Sequence, residues 1–423
     1  MKPILITTCL FFILINGYSQ ETQTTKNLAA KFVSYYNADQ ADSLYSLCSD
    51  EVKKSLPASS VPAIISQLKN QLGKLLSTEF TSADKGITTY ICPFEKSGPV
   101  LYLHFDQNNK LAGFYVNVDK RQQIPLKDTE QLVTITTTSS ELKGTLSVPK
   151  VSVKIPVVLL IAGSGPTDRN GNSSLIKGKS NYFLKISDEL YANKIAVLRY
   201  DKRGIGQSTT TESEINTKFE DMVDDAAALI KFLKKDSRFS KVIVAGHSEG
   251  SLIGMLASER EKADGFISLA GAGFPITEII KSQYKEVLSA DDYKSASAVL
   301  DTIEAGKPVR QQLKNGLEIQ FRSSILPYLN SWMKYNPQTV VSKLTMPVLI
   351  VQGTHDIQVN VENARQLKKA NPGAKLVLIE GMSHILKEGP VDRQLNIATY
   401  SNDDLALHPK LVPELEQFIN GIK

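Results

Sequence analysis

Val242-Ile243-Val244-Ala245-Gly246-His247-Ser248-Glu249-Gly250-Ser251 decides the fold. An apolar, β-branched run ends in G-x-S-x-G, and a helix-compatible run, Leu252-Ile253-Gly254-Met255-Leu256-Ala257, follows at once. Strand, sharp turn and helix in that order put the central serine at the tip of a strained turn. Its neighbours have to be small there, and Gly246 and Gly250 remove the Cβ atoms that would clash. Ser248 is expected at a helix N-terminus, where free N–H groups and the helix dipole favour developing negative charge.

A serine hydroxyl is a weak nucleophile that needs a base, and the base needs an orienting acid. Two downstream stretches supply them. Val348-Leu349-Ile350-Val351-Gln352-Gly353-Thr354-His355-Asp356 reads as a strand and a turn presenting Asp356. Leu376-Val377-Leu378-Ile379-Glu380-Gly381-Met382-Ser383-His384 reads as a strand and a turn presenting His384. Both residues fall just after a strand, on the edge expected for Ser248, and the chain order is Ser, Asp, His. Of the other four histidines, His104 belongs to a different region, His247 flanks the serine and His355 neighbours the acid. His408 is the fallback base and Asp201 an outside choice of acid.

An oxyanion hole needs two backbone N–H groups. Glu249, after the nucleophile, is expected to give one. Ser164, in the loop Gly163-Ser164-Gly165-Pro166-Thr167-Asp168-Arg169-Asn170-Gly171, is expected to give the other. Gly163, Gly165, Asp168 and Arg169 are candidate substrate contacts; the alternative for Asp168 and Arg169 is that they shape the turn. Arg199-Tyr200-Asp201-Lys202-Arg203-Gly204-Ile205-Gly206-Gln207-Ser208 reads as a structural turn.

Around these stretches, strands and helices alternate from residue 130 onward, which gives a mostly parallel sheet with helices on both faces. The alternation breaks at about 274–345, an all-helical stretch holding the single tryptophan, Trp332. It reads as a lid over the carboxyl ends of the strands, where ligands bind in open α/β sheets. Residues 20–120 form a separate small α+β unit. Three helices are expected there, then strands at Ile87–Cys92, Val100–Phe105 and Leu111–Val118. The polar stretch 121–129, with Pro125, is the expected linker.

Two domains fit a chain of 423 residues. Its 42% apolar and 22% charged composition is that of a globular protein. The net charge of +5 is spread over mixed Lys and Glu, with no basic block, which speaks against nucleic acid as a partner. Residues 1–19 combine Lys2, an apolar run from Ile4 to Ile15 and a small-x-small site at Gly17 and Ser19. That is the pattern of a cleaved signal peptide, so the chain is expected to be exported, to periplasm or medium, without a stable membrane anchor. Cys48 and Cys92 would then be free to pair, or to remain as two buried thiols.

With these motifs in place, residues 130–423 resemble the α/β-hydrolase superfamily, and within it the secreted esterase and serine-aminopeptidase-like lipase branch. The stretches 163–171, 199–208 and Gly353-Thr354-His355-Asp356 carry that resemblance, and Ala162 stands where many relatives have His. The first unit is similar in outline to the cone-shaped domain that often precedes such hydrolases. The resemblance implies carboxyl-ester hydrolysis through an acyl-enzyme, a small-molecule ester as substrate, and no metal or organic cofactor. An aminopeptidase or acyltransferase using the same three residues, and a non-catalytic binding protein on the same fold, are the alternatives.

Overall fold

The computed structural model describes residues 21–423, apart from 85, 97, 120–125, 174, 175, 177 and 312. The expected signal peptide and most of the expected linker lie outside the described residues. Two sheets organise the rest. The first is antiparallel, in the order β1 (Glu79–Asp84), β2 (Ile87–Pro93), β3 (Val100–Phe105), β4 (Leu111–Asn117). Helices Gln23–Asn37, Ala41–Ser46, Asp50–Ser55 and Val61–Leu72 pack on it. Their shared core includes Phe32, Tyr36, Leu101, Leu103 and Phe105. Helix Val61–Leu72 stops at Gly73, whose φ of 83° breaks the helical path.

β1 was not expected from the sequence. It is an edge strand, paired only with β2 and bulged between Phe80 and Ser82, and none of its residues is buried, so it carries no apolar alternation to read. Cys48 and Cys92 are both buried free thiols rather than a disulfide. Burial pushes the Cys48 thiol up to about 11 and the Cys92 thiol up to about 12.

The second sheet holds β5 (Glu130–Thr136), β6 (Ser140–Ser147), β7 (Ile155–Ile161), β8 (Ala196–Tyr200), β9 (Thr209–Thr210), β10 (Phe239–His247), β11 (Gly265–Leu269), β12 (Val348–Gly353) and β13 (Lys375–Ile379). Across the sheet the order is β13-β12-β11-β10-β7-β8-β6-β5, with β9 on β6. Pairing from β8 to β13 is parallel, and β5, β6 and β9 are antiparallel. Apolar runs that look continuous in sequence serve both faces in turn. Val157, Leu159, Ile161, Val242 and Val244 pack on one side. Val158, Leu160, Ala162, Ile243 and Ala245 pack on the other. Such two-sided burial is what a parallel sheet between helix layers demands.

Helices Phe219–Lys235 and Glu249–Glu261 cover the first face, and Tyr182–Ala192 and Leu411–Gly421 the second. Among the described residues the stretch 274–345 forms five helices, from Ile276–Val287 to Pro337–Val341. It joins the first core through Leu317, Phe321 and Trp332, and Trp332 stacks on Phe219 with centroids 5.4 Å apart and planes 6° from parallel. The two units meet at Asn117. Its side chain donates to the Gly204 carbonyl (3.0 Å) and accepts from the Gly206 N–H (3.1 Å). Among the described residues no helix is long and apolar enough to cross a membrane.

Candidate active site

The site grows from the end of β10. Gly246 pairs in register with Ile161 of β7, and His247 with Leu269 of β11, so the loops after three neighbouring parallel strands leave the sheet side by side. Ser248 then takes φ 55° and ψ −121°, outside the ordinary wells of an L-residue. The close packing around it enforces this. A Cβ on Gly246 would lie 2.1 Å from the Gly250 carbonyl oxygen. One on Gly250 would lie 2.3 Å from the Ile161 carbonyl oxygen. The strain is held by the surrounding sheet, which is how functional turns persist.

Ser248 is the N-cap of helix Glu249–Glu261, and its side chain makes no capping bond to that helix. The Glu249 N–H therefore sits among the first, unpaired donors of the helix. On the other side, Gly163 presses against the turn: a Cβ there would lie 3.1 Å from Ser248 Cβ. Ser164 and Gly165 follow, both exposed, with Gly165 at φ 77°. Ser248, Glu249 and the loop at Ser164 are thus gathered at one edge.

Asp356 and His384 meet. The His384 Nδ1 lies 2.8 Å from Asp356 Oδ2, and both side chains are almost completely buried. A carboxylate only accepts, so Nδ1 carries the proton of this bond, and Nε2 is the ring nitrogen left outside it. Asp356 Oδ2 also accepts from Gln352 Nε2 (2.9 Å), and Oδ1 from the Gln358 and Val359 N–H groups (2.8 and 2.9 Å). Burial alone would raise this carboxyl. His384 and the backbone donors outweigh it and hold the group below the usual Asp range. The other candidates are engaged elsewhere. Asp201 pairs with Arg169, and the His408 ring accepts from the Lys410 N–H (3.3 Å). His355 Nδ1 donates to the Gly389 carbonyl (2.6 Å).

His247 has a part that its sequence position did not suggest. Its Nε2 donates to the His384 carbonyl oxygen (2.8 Å), and its Nδ1 accepts from the Tyr182 hydroxyl (3.3 Å). Burial, then the neighbouring His384 ring, pushes its pKa down to about 3, so it stays neutral.

Two of the candidate substrate contacts turn inward. Arg169 is 1% exposed. Its guanidinium binds Asp201 Oδ2 (2.7 Å) and Thr145 Oγ1 (3.0 Å), which ties the 163–171 loop to the 199–208 turn and leaves no face for substrate. Asp168 shapes its own loop, accepting from the Asn170 and Asn172 N–H groups at 2.8 and 2.9 Å. Burial shifts its carboxyl upward. Shaping the turn was the alternative reading of these two residues; the pairing of Arg169 with Asp201 was not visible in the sequence, where a buried ion pair looks the same as two exposed charges.

The helical stretch reaches the site through Tyr328, whose hydroxyl donates to Glu249 Oε1 (2.6 Å). Glu249 Oε2 lies 3.7 Å from Lys202 Nζ, and all three residues are largely shielded from solvent. A lysine two residues beyond a fully buried strand was the available signal for this contact.

The chain is similar to several known proteins. Residues 176–308 match the family described as "Serine aminopeptidase, S33", a span that holds Ser248 but neither Asp356 nor His384. Residues 29–114 match a protein family of unknown function, DUF3887. Esterase EstD of Thermotoga maritima is 26% identical over 372 residues, covering 85% of this chain and 87% of that one. A probable protein phosphatase methylesterase 1 of Dictyostelium discoideum is 23% identical over 241 residues, 50% of this chain and 72% of that one. Among solved structures, Est1E from Butyrivibrio proteoclasticus with ferulic acid bound is 22% identical, with a TM-score of 0.46 over 68% of this chain and 99% of that one. Sheet order, the strained Ser248 turn and the sequence similarities give the chain an α/β-hydrolase fold, with a small α+β domain ahead of it.

Proposed function

We propose that the chain is an exported serine hydrolase that cleaves small to medium carboxylic esters. The observation that carries this reading is the buried His384–Asp356 bond on the sheet edge that also presents Ser248. Ser248 Oγ attacks the ester carbonyl and gives its proton to His384 Nε2. Asp356 keeps the proton on Nδ1 and stabilises the imidazolium. The Ser164 and Glu249 N–H groups hold the oxyanion. His384 returns the proton to the departing alkoxide, leaving an acyl-Ser248. Water, deprotonated by His384, then releases the acid. The esterase relatives support the substrate class, and residues 1–19 support export.

The serine-aminopeptidase family model favours a second reading, in which the same residues cleave an amide. Purified protein lacking residues 1–19 tests both. Release of p-nitrophenol from acetate, butyrate and octanoate esters that disappears in Ser248→Ala is the expected result. Fluorophosphonate labelling of Ser248 without turnover of any ester would move the assignment to the amide or transfer reaction. Neither turnover nor labelling would overturn Ser248 as the nucleophile.

A further inference from the structure

Lys202 is buried, 7% exposed, at the start of the turn that leaves β8. Its Nζ donates to the Gly163 carbonyl oxygen (2.5 Å) and lies 3.7 Å from Glu249 Oε2. Glu249 in turn accepts from Tyr328 of the helical stretch (2.6 Å). Gly163 and Ser164 share one peptide plane, and no peptide bond in the described chain is cis. In a trans peptide the carbonyl and the N–H point in opposite directions. Fixing the Gly163 oxygen on Lys202 therefore fixes the Ser164 N–H on the far side of the plane. A cation on the carbonyl also polarises the peptide and strengthens that N–H as a donor.

Something has to perform this task. Residue 162 is an alanine with no side-chain polar group to steer the loop, and Gly163 and Gly165 leave the backbone soft. A buried ammonium is costly without partners, and the contacts given to Lys202 are those of a positioned group, not a solvated one.

We propose that Lys202 is a positioning residue of the oxyanion hole. It holds the Gly163–Ser164 peptide so that the Ser164 N–H meets the developing oxyanion. Glu249 is its counter-ion, and Tyr328 orients that carboxylate from the helical stretch. The proposal rests on the serine-hydrolase reading above. It adds that both donors of the hole are wired together, since Glu249 supplies one N–H and its side chain anchors the residue that sets the other.

The test is Lys202→Met, with Lys202→Met/Glu249→Gln as a second variant that leaves no unpaired buried carboxylate. Wild type and Ser248→Ala are assayed first on p-nitrophenyl acetate; an inactive wild type would count against the parent reading and not against Lys202. Given an active wild type, kcat in both variants should fall about 10- to 100-fold, less than the 10²–10³ typical of deleting a donor, with KM within about twofold. Affinity for a trifluoromethyl ketone, whose Ser248 adduct carries an oxyanion, should fall by the same factor as kcat/KM. Unchanged kcat in either folded variant would overturn the proposal. So would a lower kcat with full affinity for the ketone, because a merely structural lysine would not weaken the oxyanion adduct in step with the rate.

Discussion

His247 Nε2 donates to the main-chain carbonyl of His384 at 2.8 Å, so the residue before the proposed nucleophile holds the backbone of the proposed base. The two rings lie 4.7 Å apart, and His247 also packs against Tyr182 and Phe183. His247→Phe keeps a ring in this aromatic pocket but removes the donor. Losing one buried hydrogen bond of about 1–1.5 kcal/mol should lower kcat about tenfold through a looser His384, with KM little changed. Full activity in His247→Phe would mean that the bond does not position the base.

The same residue ties stability to pH. In the unfolded chain its imidazole takes up a proton near 6.5, and in the folded protein only near 3, because burial and His384 oppose the charge. Between those values the unfolded state binds more protons, so stability falls as pH falls, by at most about 1.4 kcal/mol per pH unit from this one group. Asp356 adds to the loss at lower pH, since its folded pKa also lies below its ordinary 3.8. Urea midpoints measured from pH 7 to pH 4 should drop more steeply for wild type than for His247→Phe. Parallel curves would contradict a neutral, buried His247.

The glycines of the turn differ in what they would cost. At Gly250 a methyl group would meet the Ile161 and Ala162 carbonyl oxygens at 2.3 and 2.6 Å, both backbone atoms that cannot step aside. Gly250→Ala should destabilise by about 3 kcal/mol or more, by overpacking. At Gly165 nothing lies within 4 Å, and only the φ of 77° opposes a side chain. Gly165→Ala should cost about 1–2 kcal/mol. The order of the two thermal midpoints checks the argument, and equal values would refute it.

What could be read in advance follows the range of the forces involved. The β7, β10 and β12 strands announce themselves because each is apolar on both faces, and the Ser248 and Asp356 turns follow from where β10 and β12 end; the His384 turn follows the shorter apolar run of β13, Leu376 to Ile379. β1 escaped because Glu79–Asp84 is a polar edge strand that takes its structure from β2. Arg169 escaped for a different reason. Its burial depends on Asp201, 32 residues away, and nothing local distinguishes a buried charge from a solvated one. Lys202, Tyr328 and the Nε2 bond of His247 belong to the same class of contact, side chains brought together only by tertiary packing. The fold and its three chemical turns are local and legible; the wiring that orients them is not.

The helical stretch 274–345 is fastened near the site by the start of helix Phe219–Lys235. Phe219 stacks on Trp332, the Phe219 N–H donates to Ser331 Oγ (2.8 Å), and Tyr335 donates to Glu220 Oε1 (3.1 Å). Phe219→Ala spares both hydrogen bonds and deletes a fully buried ring, a loss of about 3–5 kcal/mol. That exceeds what two hydrogen bonds return, at about 1 kcal/mol each. The helices should then detach at temperatures where the sheet remains folded. Trp332 is the only tryptophan, so the protein's tryptophan emission reports on its packing against Phe219 and Tyr328. Phe219→Ala should shift that emission to the red below the main thermal transition seen by circular dichroism, and ester turnover should decline along the same curve, because Tyr328 leaves Glu249 as the helices leave. A single transition with both probes coincident would show that the stretch and the sheet unfold as one unit.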